Sequence, residues 1–373
     1  MHYFIIAGEA SGDLHAAKLI EALRRRDPEA RFSFLGGDLM TAAAGTQPII
    51  HYRDMAFMGF GEVIRHLPQV LGNMRTAKRA LLEARPDAFI AVDYPSFNLK
   101  VAATAAKAGI PVFWYISPKL WAWKSWRVKQ IRRTVRRMLA IFPFEPKWYE
   151  EHGFHADYVG NPSVGEIDAA LAAAPSRDEF LAEHKLRDRP IIALLPGSRA
   201  AEVRNNLAIM EAAARRFPQY RAVVAGAPGL DDAFYEGLTK LPVLRGATYA
   251  LLRHARAALV TSGTATLEAA LAGVPQVVCY YGKKLTYQIM SRVLQLDYVS
   301  LPNIIAGRGI VPELLMHFCT TDAAARELAP LLREDTPERN AQLEGYAQMR
   351  EILGTADAAA NAAEIIVSEI ASA

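Results

Sequence analysis

The stretch HYFIIAGEASGD, residues 2–13, decides the fold of this chain. HYFIIA has the aromatic and β-branched residues of a buried strand, and Gly8 and Gly12 then let the backbone turn tightly into a helix predicted from Ser11 to Arg26. The helix start could bind an anion, or the turn could be structural, with Ser11 as N-cap. Because it matches neither GxGxxG nor GxxxxGK[ST], we expect no dinucleotide or P-loop site.

The same alternation of strand and helix continues along the chain. The further predicted strands are RFSFLGG (31–37), DAFIAVD (87–93), PVFWYIS (111–117), PIIALLPGS (190–198), YRAVVAGAP (220–228), AALVTSG (257–263) and QVVCYYG (276–282). The two series are separated by a polar connection that runs through Pro175. This pattern predicts the α/β class, with two doubly wound Rossmann-like domains that face each other across a cleft. We expect domains at 1–165 and 166–350, followed by a C-terminal helix within 351–373 whose docking place the sequence does not reveal.

Composition narrows the class of protein. The chain has 373 residues, more than one core usually serves, and 43 Lys and Arg against 39 Asp and Glu give a net charge of only +4. A nucleic-acid partner is therefore not expected. Two cysteines without a CxxC spacing indicate neither a disulfide framework nor a structural zinc site, which fits a cytoplasmic setting. No signal sequence and no run of about eighteen apolar residues is present, so membrane contact should be peripheral.

A candidate base follows the third predicted strand. Asp93 ends the apolar run of DAFIAVD, and ligands of open α/β sheets bind beyond the carboxyl ends of strands. Partial burial there would raise the pKa of this carboxyl and suit it to general-base catalysis, although an ordinary loop aspartate remains the alternative. Asn98, one turn further on, could orient a sugar hydroxyl or cap the following helix.

Two turns in the second half predict a nucleotide-diphosphate site. In LLPGSRAAE, Arg199 lies where a guanidinium can bond a phosphate at a helix N-terminus. In VTSGTATLE, Ser262, Gly263 and Thr264 form another helix start, and Glu268 lies about one turn in, where it can accept from ribose hydroxyls. Because the chain has no DxD, we expect no metal at this site and assign the diphosphate charge to Arg199 and the helix dipoles.

The segment YISPKLWAWKSWRVKQIRR, residues 115–133, combines three tryptophans with six basic side chains. Upstream, an apolar stripe recurs at helical spacing from Phe57 to Met74, interrupted by Pro68, which predicts two short helices or a kink. Core packing explains most such stripes. Next to the basic segment, it also fits an interfacial surface that dips into anionic lipid.

Seven ordered motifs resemble one known family, the lipid-A-disaccharide synthases, inverting glycosyltransferases of the two-domain GT-B type. The motifs span nearly the whole chain: GEASGD (8–13), DYPSFN (93–98), SPKLWAW (117–123), PFE (143–145), LPGSRAAE (195–202), SGTATLE (262–268) and DYVSLPNIIAGR (297–308). One departure is Gly160-Asn161-Pro162, where the family often has Gly-His-Pro, so no role of an imidazole can be transferred there.

The resemblance implies a donor, UDP-2,3-diacylglucosamine, and an acceptor, 2,3-diacylglucosamine 1-phosphate, joined through a β-1,6 bond with release of UDP and without a cofactor. Asp93 would be the base, and the donor would contact Arg199, the Thr264 helix start, Glu268 and Asn303. Acceptor contacts are expected from Ser11, Asn98, Trp121 and Trp123. A membrane or acyl-chain surface is expected from Phe60, Val63, Ile64, Leu67, Val70, Leu71, Arg127, Lys129, Arg132 and Arg133. The enzyme would lie on the cytoplasmic face of the inner membrane, and it could form a homodimer.

Three rivals remain open from the sequence. A UDP-N-acetylglucosamine epimerase or the muropeptide glycosyltransferase would share the fold, but neither accounts for SPKLWAW beside an apolar stripe. A non-catalytic lipid carrier would use the same apolar surface but would have no need of Asp93 or of the two nucleotide-type turns.

Overall fold

The computed structural model describes residues 1–55, 67–123, 125–282 and 297–372, without the side chains of Leu67 and Trp123. The chain divides into two compact units. Unit 1 comprises Met1–Pro162 together with Thr355–Ala373, and unit 2 comprises Ser163–Gly354. Among the membrane-surface predictions, Phe60, Val63, Ile64 and the side chain of Leu67 lie outside the described residues. The side chain of Trp123, a predicted acceptor contact, lies outside them as well.

Unit 1 is built on a parallel sheet of seven strands, in the order β3-β2-β1-β4-β5-β6-β7. The strands are β1 (His2–Ala7), β2 (Arg31–Gly36), β3 (Ile50–His51), β4 (Ala88–Val92), β5 (Val112–Tyr115), β6 (Arg137–Ala140) and β7 (Ala156–Tyr158). The helices between them are α1 (Ala10–Arg26), α2 (Asp38–Ala44), α3 (Leu67–Ala84), α4 (Pro95–Lys107), α5 (Leu120–Trp123), α6 (Val128–Thr134) and α7 (Glu145–Glu151).

Unit 2 repeats the design with six parallel strands, in the order β10-β9-β8-β11-β12-β13. The strands are β8 (Ile191–Leu195), β9 (Arg221–Gly226), β10 (Val243–Arg245), β11 (Ala255–Thr261), β12 (Gln276–Tyr280) and β13 (Glu313–Leu315). The helices are α8 (Pro162–Ala172), α9 (Arg177–Glu183), α10 (Ala200–Ala214), α11 (Asp232–Glu236), α12 (Thr248–His254), α13 (Thr264–Leu271), α14 (Leu301–Ala306), α15 (Thr321–Leu331) and α16 (Pro337–Leu353).

Each sheet has a switch point at which the strand order reverses. In unit 1 it lies between β1 and β4, and in unit 2 between β8 and β11. The loops that leave the carboxyl ends of these neighbouring strands run in opposite directions, which opens a crevice for ligands. The loops containing Gly8 and Asp93 therefore meet in unit 1, and those containing Gly197 and Gly263 meet in unit 2.

The central strands of unit 1 are buried, as is typical of a parallel sheet. Strands β1, β4 and β5 contain the runs YFIIA, AFIAV and VFWY, all of them buried, as expected of a sheet covered by helices on both faces. Separate clusters of buried apolar residues fill unit 1 and unit 2. The two-sheet α/β class predicted from the sequence is confirmed.

The last helix, α17 (Ala358–Ala371), docks on unit 1, where it packs against α1. Arg26 bonds Glu364 at 3.0 Å, and Arg136 bonds Glu369 at 2.9 Å. Asn361 Nδ2 donates to the Val159 carbonyl at 3.0 Å. The chain thus returns to its first unit after completing the second.

One local prediction is wrong. The polar connection expected after Pro162 begins as helix α8, because PSVGEIDAALA carries enough apolar and helix-forming residues to continue for eleven positions. Pro68 is the second residue of α3, where its missing N–H costs nothing. The stretch before α3, on which the prediction of two short helices or a kink depends, lies outside the described residues.

Candidate functional site

Asp93 lies at the switch point of unit 1, directly after β4. Its φ of 42° and that of Tyr94, 48°, are both in the left-handed region, which is unfavourable for residues other than glycine. Two consecutive residues of this kind store on the order of 1–3 kcal/mol each and cluster at functional sites. The Asp93 N–H donates to the Tyr115 carbonyl at 3.1 Å, so the strained turn is tied to β5.

The surroundings of Asp93 favour its protonated form. Burial, and after it the negative charge of Glu9, raises the pKa of this carboxyl to about 6, against the opposing charges of Lys119 and His15. A carboxylate with a pKa near 6 remains ionised at neutral pH and is a stronger base than an exposed aspartate. Glu9, Lys119 and His15 were not singled out by the sequence, although Glu9 and Lys119 lie within the quoted motifs GEASGD and SPKLWAW.

Asn98 stabilises this turn by hydrogen bonds to its main chain. It is fully buried in α4, and its Nδ2 donates to the Asp93 carbonyl at 2.8 Å, with longer bonds of 3.4 Å to the Ile6 and Val92 carbonyls. Its Oδ1 is buried and has no hydrogen-bond partner among the described residues. The amide therefore positions the backbone of Asp93, and the predicted acceptor contact stays a prediction.

The GEASGD turn is also organised differently from the prediction. Helix α1 begins at Ala10, so Ser11 is not an N-cap; it is exposed in the first turn. Asp13 is buried and accepts from the N–H groups of Gly37, Leu39 and Met40 at 2.7, 3.1 and 3.2 Å, which joins this turn to the start of α2. Of the other polar residues in this motif, Glu9 is half-buried and Ser11 is exposed.

Trp121 belongs to a buried polar cluster. Its Nε1 donates to Glu145 Oε1 at 3.1 Å, and the Phe142 N–H donates to Glu145 Oε2 at 3.0 Å. Burial raises the pKa of Glu145 to about 7. Trp121 is only 8 % exposed, so it has a packing and hydrogen-bonding role in the fold, and the predicted acceptor contact stays a prediction.

The basic part of the Trp-rich segment does lie at the surface. Lys129, Arg132 and Arg133 are exposed on α6, and Trp126 is 66 % exposed, with the guanidinium of Arg127 5.4 Å from its ring centre. Trp126, Lys129 and Arg133 line a cavity of about 600 Å³ between α4 and α6. On α3, Val70 is half-buried and Leu71 is 44 % exposed.

Unit 2 holds a cavity of about 410 Å³ at its own switch point. The turns that follow β8 and β11 contribute glycines with φ of 121° at Gly197 and 151° at Gly263. Only glycine adopts such angles at low cost. The lining includes four of the six predicted donor residues, which are Ser262, Gly263, Thr264 and Glu268. The structure therefore brings these four together at one site.

Arg199 is placed beside this cavity rather than in its lining. Its guanidinium bonds Glu202 Oε1 at 3.2 Å, and the other oxygen of Glu202 accepts from the N–H groups of Ser198 and Arg199 at 3.2 and 3.4 Å. Glu202 thus occupies the N–H groups at the start of α10 that were predicted to face a phosphate. The side chain of Arg199 is 68 % exposed and pairs with Glu202, and its contact with a diphosphate stays a prediction.

Glu268 and Thr261 provide polar groups within the cavity. Burial and the charge of Glu166 raise the pKa of Glu268. Thr261, which the sequence did not single out, is 2 % exposed, and its Oγ1 has no hydrogen-bond partner among the described residues. The Ser262 hydroxyl, in contrast, donates to the Val299 carbonyl at 3.1 Å. A buried hydroxyl without a partner is rare, and a ligand in this cavity would satisfy it.

Asn303 is a further correction. It is 1 % exposed; its Nδ2 donates to Glu313 Oε1 at 2.8 Å and to the Val311 carbonyl, while its Oδ1 accepts from the N–H groups of Ile310 and Val311. Both ends of the amide are used, so Asn303 holds the loop between α14 and β13 and does not contact a donor.

Within the residues that the structure describes, no group of three or more His, Cys, Asp or Glu side chains is placed to hold a metal ion. Every helix among these residues is too short or too polar to cross a bilayer.

Solved structures with similar architecture cover essentially the whole chain. The glycosyltransferase of kitacinnamycin matches with a TM-score of 0.62 at 16 % identity, over 99 % of this chain and 98 % of its own. A UDP-GlcNAc 2-epimerase from Neisseria meningitidis, solved with UDP-GlcNAc, matches with a TM-score of 0.61 at 12 % identity, over the full length of both chains. Identities this low show the fold alone.

Two parallel Rossmann-like sheets, each with polar residues at its switch point, make up the GT-B fold. The family model described as Lipid-A-disaccharide synthetase matches residues 3–367. Lipid-A-disaccharide synthases of Acidobacterium capsulatum and Myxococcus xanthus are each 40 % identical, over 94 % and 97 % of this chain and 92 % and 96 % of theirs. The chain belongs to the lipid-A-disaccharide synthetase family, which confirms the predicted family and makes it a glycosyltransferase of lipid A synthesis.

Proposed function

We propose that this enzyme transfers the diacylglucosamine unit of UDP-2,3-diacylglucosamine to the 6-hydroxyl of 2,3-diacylglucosamine 1-phosphate. The acceptor oxygen forms a bond to the anomeric carbon as the bond from that carbon to the UDP oxygen breaks. UDP leaves with the bonding electrons, and the proton of the hydroxyl goes to the base. A single displacement from the face opposite UDP inverts the anomeric centre and gives a β-1,6 bond.

Asp93 is the base in this proposal, and its position is the observation on which the proposal depends. Its carboxyl follows a buried strand at the switch point, in a strained turn held by Asn98 and Tyr115. The raised pKa increases its basicity while leaving most of the population ionised at neutral pH. In this proposal Lys119, whose charge opposes this rise, interacts with the acceptor phosphate.

The donor site in this proposal is the cavity of unit 2. Glu268 accepts from the ribose hydroxyls, and the diphosphate lies by the Gly263 turn, where the first N–H groups of α13 favour an anion. Thr261 supplies a buried hydroxyl to the same ligand. In this proposal the guanidinium of Arg199 leaves Glu202 and bonds the diphosphate instead. Donor binding and the breaking of the Arg199–Glu202 ion pair therefore occur together.

The acyl chains of both substrates require access to lipid. In this proposal Trp126, Leu71 and the exposed basic side chains of α6 rest on the cytoplasmic face of the inner membrane. An aromatic ring beside cationic groups suits the interface of an anionic bilayer.

The test is product analysis by mass spectrometry, with the two proposed substrates in detergent and no added metal. Wild type should form a tetraacyl disaccharide 1-phosphate and UDP. Asp93→Asn should lower turnover by roughly a hundredfold or more, whereas Asp38→Asn, at an exposed aspartate of the same unit, should not. Glu268→Gln should act mainly on UDP affinity. Normal turnover by Asp93→Asn would remove the base from the proposal, and an isomerised sugar nucleotide without disaccharide would indicate an epimerase.

A further inference from the structure

A second cavity, of about 700 Å³, lies at the amino-terminal ends of the strands of the unit 2 sheet. Pro190 and Tyr220, which directly precede β8 and β9, line it together with Ala255 and Arg256, the first residues of β11. The candidate donor cavity is at the other end of the same strands, beyond Thr261. The length of β11 separates the two sites by roughly 20 Å. None of the residues named in the proposed reaction belongs to the lining of this cavity.

The charge of this cavity is strongly positive. Its lining contains five arginines, namely Arg177, Arg253, Arg256, Arg333 and Arg339. Glu334 is the carboxylate in the lining, and it is 81 % exposed where it bonds Arg256 at 3.1 Å. Asp188, outside the lining, bonds Arg177 at 2.9 Å and is also mostly exposed. Two solvated carboxylates leave an excess of positive charge in one concave site.

Backbone carbonyls hold the two half-buried arginines in place. Arg256 Nε donates to the Leu332 carbonyl at 3.0 Å, and Arg339 Nη1 donates to the carbonyls of Arg256 and Leu331 at 2.9 and 2.7 Å. Carbonyl acceptors fix the orientation of a guanidinium without neutralising it, and each guanidinium has more N–H donors than these bonds use. Burial, and after it the like charge of Arg256, lowers the pKa of Arg339, while the charge of Glu334 opposes this shift.

We propose that this arginine cavity binds a small, soluble, multiply charged phosphate compound at a site separate from the donor site. Planar guanidinium groups held at fixed angles match phosphate oxygens in a bidentate geometry. Half-buried Arg256 and Arg339 provide the inner contacts. Exposed Arg253, whose guanidinium also bonds the Leu171 carbonyl, and exposed Arg333 provide the outer contacts. The volume lies within the range of small-molecule sites.

A soluble ligand fits the cavity better than a lipid headgroup. None of the large exposed hydrophobic side chains in the described part of the chain belongs to its lining. Surfaces that bind bilayers combine basic groups with apolar side chains that enter the interface, as around Trp126 in unit 1. The arginine cavity offers charge without such anchors.

The experiment is calorimetric titration of the full chain with inorganic pyrophosphate in the presence of saturating UDP, which occupies the candidate donor cavity. Wild type should bind pyrophosphate under these conditions, and binding should weaken as salt is raised. The double variant Arg253→Gln/Arg333→Gln should weaken it at least about tenfold, because two charge-assisted contacts are lost. Arg326→Gln, at an exposed arginine of α15 outside the cavity, is the matched control and should bind as wild type does.

Three results would overturn the proposal. The first is equal affinity of wild type and the double variant. The second is loss of all pyrophosphate binding when UDP is added, which would place it in the donor cavity. The third is that wild type binds phosphatidylglycerol vesicles but not pyrophosphate, and that the double variant loses this vesicle binding. Should the double variant be unstable, Arg333→Gln alone must still weaken pyrophosphate binding. This test does not depend on the proposed glycosyl transfer, because it compares the pyrophosphate affinity of arginine variants with that of wild type.

Discussion

Gly8 and Tyr94 fit together only because the glycine has no side chain: a Cβ atom at Gly8 would lie 2.4 Å from Cγ and Cδ1 of the Tyr94 ring. The Tyr94 hydroxyl donates to the Met55 carbonyl at 3.0 Å, so the ring is anchored at its far end. The turn after β1 and the turn carrying Asp93 are thereby packed against each other. This close approach, rather than a left-handed backbone, is what the glycine provides.

We predict that Gly8→Ala lowers turnover by at least about tenfold, because the displaced Tyr94 ring moves the backbone of Asp93 next to it. Its free energy of unfolding should fall by about 1–3 kcal/mol, as for other overpacked sites. Gly72→Ala, within α3 and without any atom near the added methyl group, should instead be neutral or stabilise the protein by up to about 1 kcal/mol. Denaturant unfolding and UDP release measure both effects, and wild-type turnover in Gly8→Ala would contradict the coupling.

The pH dependence of turnover should report the Asp93 carboxyl. Since the base must be ionised, kcat/KM should fall below pH 6 by about tenfold per pH unit and level off above pH 7. Glu9→Gln removes the like charge that helps to raise the pKa of Asp93, so the acid limb should move to lower pH. Glu21→Gln, at an exposed position of α1, should leave the limb unmoved. A limb that does not shift in Glu9→Gln would show that another group controls it.

Strand ends were predictable from the sequence where the strands are buried and rich in β-branched residues, as in β4 and β11. The strands RMLA (β6) and ADY (β7) were missed because they are short and carry no such pattern. Asp93 could be predicted from its position after a strand. Its neighbours Glu9 and Lys119 could not, because they come from loops after β1 and β5 that only the strand order brings together.

Burial and hydrogen bonding account for the wrong site prediction at Asn303. This residue lies in a motif that the sequence links to ligands, yet both ends of its amide bond the main chain or Glu313 instead. Within a motif, a residue that binds a ligand and one that holds the binding loop look the same, because burial decides between them and burial depends on tertiary packing. The Thr261 hydroxyl shows the converse, since it ends a strand like any core threonine and only the structure reveals its missing partner.

Glu145 should make folding stability depend on pH. Burial raises its pKa from 4.5 to about 7, so the folded state binds a proton that the unfolded state has lost between these values, and stability falls as pH rises through that window. Between pH 5 and pH 8 the loss from this group is roughly 2–3 kcal/mol. Glu145→Gln cannot ionise, so its stability relative to wild type should improve by this amount over the same range. Urea unfolding at both pH values tests the sign, and parallel curves would contradict it.

Thr261→Val should separate stability from ligand affinity. Valine has nearly the same shape and removes a buried hydroxyl that lacks a partner, so stability should be unchanged or higher. If the hydroxyl bonds the donor, UDP affinity should fall by roughly tenfold. Thr266→Val is the matched control: that buried hydroxyl already donates to the Gly263 carbonyl at 2.8 Å, so its loss should cost about 1 kcal/mol of stability. Unchanged UDP affinity in Thr261→Val would remove Thr261 from the donor site.

The proposed membrane attachment should depend on the basic side chains around α6 of unit 1. The charge-reversal variant replaces by glutamate the four basic residues around α6, which are Arg127, Lys129, Arg132 and Arg133. Since each cation near an anionic surface contributes about 1 kcal/mol, reversal of all four should weaken binding to phosphatidylglycerol vesicles by at least about a hundredfold. The control variant reverses four exposed basic residues of unit 2, which are Arg187, Lys240, Arg308 and Arg326. Co-sedimentation with vesicles compares the two variants at equal net charge. If both lose binding equally, total charge rather than this surface holds the enzyme on the membrane.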